Sequence, residues 1–254
     1  MLPDLTIWLN HFEYHAQRPR SIPSGLTDVL THGERRLMAG SLATFQLGEH
    51  SKGRSLLSAA RRFAHTHALP ELERIMQLFI REQRRHADLL RDFMTDHGMP
   101  VRNFALSDLA FRSVRRLAGF ELYLHVLIAA ELIGHVYYRA LETASGCQRL
   151  KVLCRMLVAD ELAHVAFESE LLRGLHTRRS WLTQSITRLA HRTFFTCAAG
   201  MVWLSHHAVL RAVGYGPSGF VRVCRAQYSF HLDVPPSGRL KNSQALLPAT
   251  RTRE

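Results

Sequence analysis

The chain has 254 residues, 46% of them hydrophobic, which is ample for one large packed domain or two small ones and unlike a disordered chain. Lys and Arg number 33 against 21 Asp and Glu, and the formal charge of +12, mostly arginine spread along the chain, reads as a solvated basic surface open to nucleic acid, anionic lipid or an acidic partner. Cys147, Cys154, Cys197 and Cys224 form no Cys-x-x-Cys pair and no regular framework, which argues against a disulfide scaffold or a thiolate zinc site and suits reduced thiols in the cytoplasm.

Residues 1–30 read as an N-terminal extension. Met1 to His15 carries Asp4 and Glu13 and no basic start followed by an apolar run, so it is not a secretory signal. From Thr31 to His65, Leu37, Leu42, Phe45, Leu56, Leu57 and Phe63 recur at helical spacing and predict a first helix. Gly48 and Gly53 weaken it by about 1 kcal/mol each, which fits a bend or the close approach of a neighbour.

Pro70, followed by Glu71 and Glu73, predicts the start of a second helix that ends at Gly98 with Pro100 beyond. A third runs from the N-cap pair Ser107 and Asp108 to about Ser145, with Gly119 as an interruption and Gly146 as its end. A fourth spans about Cys147 to Leu175, and a fifth about Ser180 to Val213, closed by Gly214 and Gly216-Pro217. Residues 214–254 read as a short helix and a disordered basic tail, with Pro235, Pro236 and Gly238 marking the tail. No apolar run approaches the ~20 residues of a membrane span, since Leu122 to Val136 is broken by His125, Glu131 and His135. The expectation is a soluble cytoplasmic protein.

Two of these helices place acid and imidazole on one face. Glu161 and His164 are three apart, the Glu-x-x-His spacing by which one helix reaches one metal ion from two side chains. In Arg81-Glu-Gln-Arg-Arg-His86 the position three before His86 is Gln83, a neutral ligand, so Glu82, four before it, is taken as the carboxylate. A two-metal site needs a further carboxylate from each of two other helices to neutralise and bridge the cations. Glu131, within Leu127-Ile-Ala-Ala-Glu-Leu-Ile133, is the donor in the third helix, because an unpaired carboxylate in so apolar a run is costly to bury. Glu49 is the matching residue in the first.

The register agrees. Facing residues of an antiparallel hairpin are equally far from its turn, and the residue midway between Glu131 and Glu161 is Gly146. Midway between Glu49 and His86 lies the predicted turn of Thr66 to Pro70. Both pairs stand about 15 to 19 residues from their turns, or roughly 22 to 28 Å of helix, so Glu49, Glu82, His86, Glu131, Glu161 and His164 meet in one layer. His50 and His135 are candidate partners orienting these ligands, and Tyr137 and Tyr138 candidate pocket residues. Glu168 and Glu170 follow His164 and can supplement the site, though a solvated face is the preferred reading, and Phe194 to Leu204 reads as a core helix over the bundle end.

With these residues the chain resembles the ferritin-like superfamily of carboxylate-bridged di-iron proteins over about residues 31–213. Phe45-Gln-Leu-Gly-Glu49, Ala130-Glu131 with Val136-Tyr-Tyr-Arg-Ala-Leu141, and Asp160-Glu-Leu-Ala-His164 with Phe167 resemble an uncharacterised bacterial ferritin-like group. The resemblance implies an all-α fold, a ferritin-like four-helix bundle with additional C-terminal helices, and two Fe ions as cofactor, Mn or mixed Mn/Fe being alternatives. It further implies an oxidoreductase that activates O₂ for hydroxylation, desaturation or N-oxygenation of a small-molecule substrate, with a separate electron donor, in a monomer or dimer. Two other functions remain open. One is an iron-binding or oxidant-scavenging protein without organic substrate. The other is a tRNA-modifying hydroxylase whose phosphate contacts are Arg81 to Arg85 and Arg112 to Arg116. Gln83 is the departure from the family pattern.

Overall fold

The computed structural model describes residues 4–49, 53–101, 119–177 and 179–233. Among them the chain is all-helical, with no strand. Helix α1 (Leu5–Gln17) opens on Asp4, whose Oδ1 accepts from the Thr6 amide at 2.9 Å. Its buried residues Leu5 and Phe12 pack on α4, and Phe12 meets Phe79 and Phe167, so the segment read as an extension belongs to the core.

Helix α2 (His32–Glu49) begins with a reciprocal cap: the Glu34 amide donates to Thr31 Oγ1 at 3.2 Å, and the Thr31 amide donates to the Glu34 carboxylate at 2.8 Å. The single helix expected over 31–65 is in fact two, because α2 stops at Glu49 and α3 (Arg54–His67) starts after Gly53. Gly53 has φ +63°, and a Cβ on it would lie 2.6 Å from Ile80 Cγ2. Only glycine permits both that backbone and the close approach of α4. Residues 50–52, His50 among them, lie outside the described residues.

Helix α4 (Pro70–Asp96) has Pro70 in its first turn with Glu71 and Glu73, and the chain leaves it through Gly98 at φ +62°. The expected start of the third helix at Ser107, and Arg112 to Arg116, lie outside the described residues. Helix α5 (Phe120–Ala144) starts at Gly119, whose extended ψ of 170° prevents a continuous helix through it. Helix α6 (Gln148–His176) returns along α5 after the Gly146 turn, and these two form the most extensive helix pair. The Gly146 amide donates to Glu34, which ties the start of α2 to that turn.

Helix α7 (Trp181–Ala212), capped by Ser180 and kinked at His206, packs on α2 and α5. Helix α8 (Pro217–Tyr228) packs on α5 and α7 and runs into a π-helical turn, Ser229–Asp233. Contrary to the sequence expectation, α5 is long and apolar enough to cross a membrane despite His125, Glu131 and His135. However, 78% of its most apolar stretch is buried inside the protein, so packing accounts for its apolarity. The tail from Val234 lies outside the described residues.

Candidate metal centre

Four helices converge on one buried polar layer. Helix α4 supplies Glu82, Gln83 and His86; α6 supplies Asp160, Glu161, His164 and Glu168; α5 supplies Glu131 and Tyr138; and α2 ends on Glu49. On α6 the residues Glu161, His164 and Glu168 follow one another at three and four, one helical face, and all three are buried.

Glu161 lies between the two imidazoles. Its Oε1 is 3.0 Å from His86 Nδ1 and its Oε2 is 3.2 Å from His164 Nδ1, and the two rings stand 6.1 Å apart. Each ring is held on its other nitrogen by an acid from the opposite helix: Nε2–H of His86 donates to Asp160 at 3.1 Å, and Nε2–H of His164 to Glu82 at 3.0 Å. The two motifs are therefore crosswise partners. In neutral rings this leaves the Nδ1 lone pairs directed at the interior, the tautomer a metal ligand needs.

The structure places Glu82 and Gln83 differently from the sequence expectation. Glu82 lies on the outer nitrogen of His164, with Arg85 3.8 Å away, whereas the Gln83 amide points inward. Gln83 Nε2 lies 3.4 Å from Glu131 Oε1, 3.2 Å from Glu161 Oε2 and 3.3 Å from His164 Nδ1. Glu131, Glu161 and His164 present ligand atoms within 4.8 Å of one another. Glu49 is partly exposed as a residue, yet its carboxyl is enclosed and accepts from the Tyr138 hydroxyl at 3.1 Å.

The electrostatics are those of a cation deficit. Neither oxygen of Glu168 nor Oε2 of Glu131 meets a donor from another kind of residue, although both residues are buried, and the two carboxyls face each other. Burial and the Glu161 charge push Glu49 up to about 8 and Glu131 up to about 7, and burial beside Glu131 pushes Glu168 well up. For Glu161, burial opposes ionisation, but His164 and His86 outweigh it and hold the carboxyl well below the usual range. Burial likewise opposes the charged form of His86, yet hydrogen bonds to Asp160 and Glu161 push it up to about 9. Protons thus occupy places that a divalent ion, pulling all these carboxylates into their ionised form, can take.

Aromatic rings wall the layer. Phe79 and Phe12 pack against His164 with centroids at 4.4 and 5.7 Å, and Trp8 of α1 packs on Phe167 while donating to Glu170 at 2.9 Å. His135 accepts from Arg139 Nε at 2.9 Å instead of orienting a ligand. The Tyr137 hydroxyl is 2.7 Å from Ser41 Oγ, which is 2.7 Å from His206 Nδ1, a core link between α2, α5 and α7. Arg85 is engaged internally, 2.7 Å from Asp160, with Arg20 2.9 Å from the same carboxylate.

Sequence reasoning missed Asp160 and Phe12, and named Glu168 only as the less favoured of two readings. Glu168 had a signal, its place on the Glu161 and His164 stripe, and its reading as a solvated residue is corrected by its complete burial. At the layer's outer edge Glu82 and Asp160 also meet His15 of α1, with ligand atoms within 4.8 Å of one another. Among the described residues, two further groups with ligand chemistry lie outside the layer. Asp28, His97 and Cys147 meet near the start of α6, where Arg149 pairs with Asp28 at 2.7 Å. Glu121, His125 and His176 meet at the other end of α5. All four cysteines are free. In comparisons with known proteins, the chain matches no protein-family model, no curated protein and no solved structure.

Proposed function

We propose that the buried layer is a two-metal centre of the ferritin-like, carboxylate-bridged kind, with Glu49, Glu131, Glu161, His86 and His164 as ligands and Glu168 as a further carboxylate beside Glu131. One observation carries this reading: the buried carboxyls of Glu131 and Glu168 face each other, with no cationic partner at Glu131 Oε2 or either Glu168 oxygen, beside the Glu161 carboxylate that links two imidazoles. Six carboxylate and imidazole side chains suit iron, and manganese shares the same ligand preferences. In this reading Gln83 stands where the family pattern has a carboxylate, and Glu168 restores the count of four carboxylates and two imidazoles.

When bound, iron supplies redox chemistry toward O₂, and the activity proposed is oxidation of a small organic molecule with electrons from a separate donor. The chain's own residues prepare the site. Glu82 and Asp160 fix the imidazole tautomers, Tyr138 orients Glu49, and Phe12, Phe79 and Phe167 keep bulk water from His164. The experiment is anaerobic loading with Fe²⁺, metal analysis, and measurement of O₂ uptake per iron. Uptake sustained by a reductant and quenched in Glu161→Ala supports an oxidase or oxygenase. A single round of iron oxidation, unaffected by reductant, instead supports iron binding without an organic substrate.

A further inference from the structure

A second set of ligand-type side chains meets at the start of α5. Glu121 and His125 are four apart and share a face, and His176 is the last residue of α6. His176 Nε2 is 3.4 Å and His125 Nε2 3.8 Å from the same Glu121 Oε1. The three ligand atoms lie within 4.8 Å of one another. Ligands of a tetrahedral ion bound at about 2.0 to 2.1 Å stand roughly 3.3 Å apart, so the group closes on an ion with small side-chain movements. Glu121 precedes Glu131 on α5 by about 15 Å of helix at 1.5 Å per residue, so this corner is separate from the central layer.

Its three ligand groups face one another at distances longer than good hydrogen bonds. His125 is 7% exposed, and its Nε2 and that of His176 both turn to Glu121 Oε1, at 3.8 and 3.4 Å, with no closer partner. On the other side of the ring, His125 Nδ1 is 3.0 Å from His191 Nδ1. His191 Nε2–H donates to the His125 carbonyl at 3.0 Å, so a neutral His191 has only Nδ1 as acceptor. His125 then donates through Nδ1 and keeps its lone pair on Nε2, toward Glu121 and His176. The Tyr228 hydroxyl, 3.1 Å from the same His191 nitrogen, shares that one lone pair with His125. Arg179 pairs with both oxygens of Glu121, Nη1 to Oε1 at 2.8 Å and Nη2 to Oε2 at 2.5 Å, so the guanidinium fixes the carboxylate and an ion there would share it with Arg179.

We infer that Glu121, His125 and His176 form a second metal site, which takes one divalent transition ion of the zinc type. Two imidazoles and one carboxylate favour such an ion over magnesium or calcium, and three protein ligands leave a coordination position for a further small ligand.

The test is zinc titration of the metal-stripped full-length protein, with bound metal counted after gel filtration. Replacing His176, at the end of its helix with 18% of its side chain exposed, spares the core. His176→Ala is expected to lose one zinc equivalent per chain relative to wild type, with an unchanged helical circular dichroism spectrum, and Glu161→Ala to keep that equivalent. Co²⁺ in place of Zn²⁺ is expected to give a four-coordinate visible spectrum in wild type that disappears in His176→Ala. Unchanged zinc content in His176→Ala, or a cobalt spectrum indifferent to it, overturns the site and leaves the central centre untouched.

Discussion

Glu82 accepts a hydrogen bond from Nε2 of His164 at 3.0 Å, across the interface between α4 and α6, so the acid next to one metal motif holds the imidazole of the other. Burial opposes the charge on Glu82, yet His164 outweighs it and holds the carboxyl down to about 2. Glu82 thus acts on the centre through His164. Losing such an outer partner costs about 10- to 100-fold in metal affinity. Glu82→Gln is expected to weaken iron binding by that factor without removing an ion, as read by competition with a chelator. Gln83→Glu is expected to tighten binding, because it adds a carboxylate at the inward position. If Glu82→Gln removes a whole equivalent and Gln83→Glu changes nothing, Glu82 is itself a ligand.

Asp160 is the mirror of Glu82 but carries more load, since Arg85, Arg20 and His86 all meet its fully buried carboxylate. Asp160→Ala removes the anion from Arg20 and from the outer nitrogen of His86, and leaves Arg85 only the 3.8 Å ion pair with Glu82. A loss of about 3 to 5 kcal/mol in urea unfolding is expected, the range for breaking a buried pair from one side. A loss below about 1 kcal/mol indicates that solvent replaces the contact.

Gly53→Ala tests the break between α2 and α3. The positive φ and the 2.6 Å approach to Ile80 Cγ2 both oppose a side chain there. Together they are expected to cost about 2 to 4 kcal/mol. Ile80→Val is expected to recover little of this, because Cγ2 and the backbone strain remain, whereas Ile80→Ala relieves the steric part. The double-mutant cycle reads this directly, and strict additivity contradicts the close approach.

Much of the fold was legible because each helix is punctuated by glycine or proline. Pro70, Gly98, Gly119, Gly146 and Gly216-Pro217 all mark observed helix ends. The level pairing of Glu131 with Glu161 was readable because a short turn fixes the register of a hairpin. The choice between Glu82 and Gln83 was not readable, since both angles face the core and only the positions of His164 and Glu131 on other helices decide which side chain points inward. Helix α1 was missed for a similar reason. Its docking rests on Leu5 and Phe12 fitting between α4 and α6, and no local pattern reports that fit.

The pH dependence of the metal-free protein sets the raised groups of the layer against His135, His191 and His206. Burial lowers the pKa of these three to about 4, 3 and 4, so they add stability as pH rises through the ordinary histidine range. Folded-state values for Glu131 and Glu49 are raised to about 7 and about 8, and that of His86 to about 9. A raised group stabilises the fold below its unfolded pKa and loses that contribution as pH rises through the folded value. Glu131 and Glu49 therefore withdraw stability from the ordinary glutamate range up to about 8, and His86 from the ordinary histidine range up to about 9. The apo-protein's Tm is expected to fall by roughly 5 °C or more from about pH 5 to about pH 8. Metal is expected to reverse the trend, because it displaces the same protons and binds more tightly as pH rises. Glu131→Gln should flatten the fall in the apo profile, and a Glu131→Gln profile identical to that of wild type contradicts the assignment of Glu131.

The most direct test of the two-metal centre is the iron content of the protein loaded anaerobically with Fe²⁺. His176→Ala serves as the background, so that the corner at Glu121 contributes nothing. About two iron equivalents per chain are expected there, falling to about one or fewer when Glu161→Ala or Glu131→Ala is added. Iron content unchanged by both additions, or below about half an equivalent in the background itself, contradicts the centre.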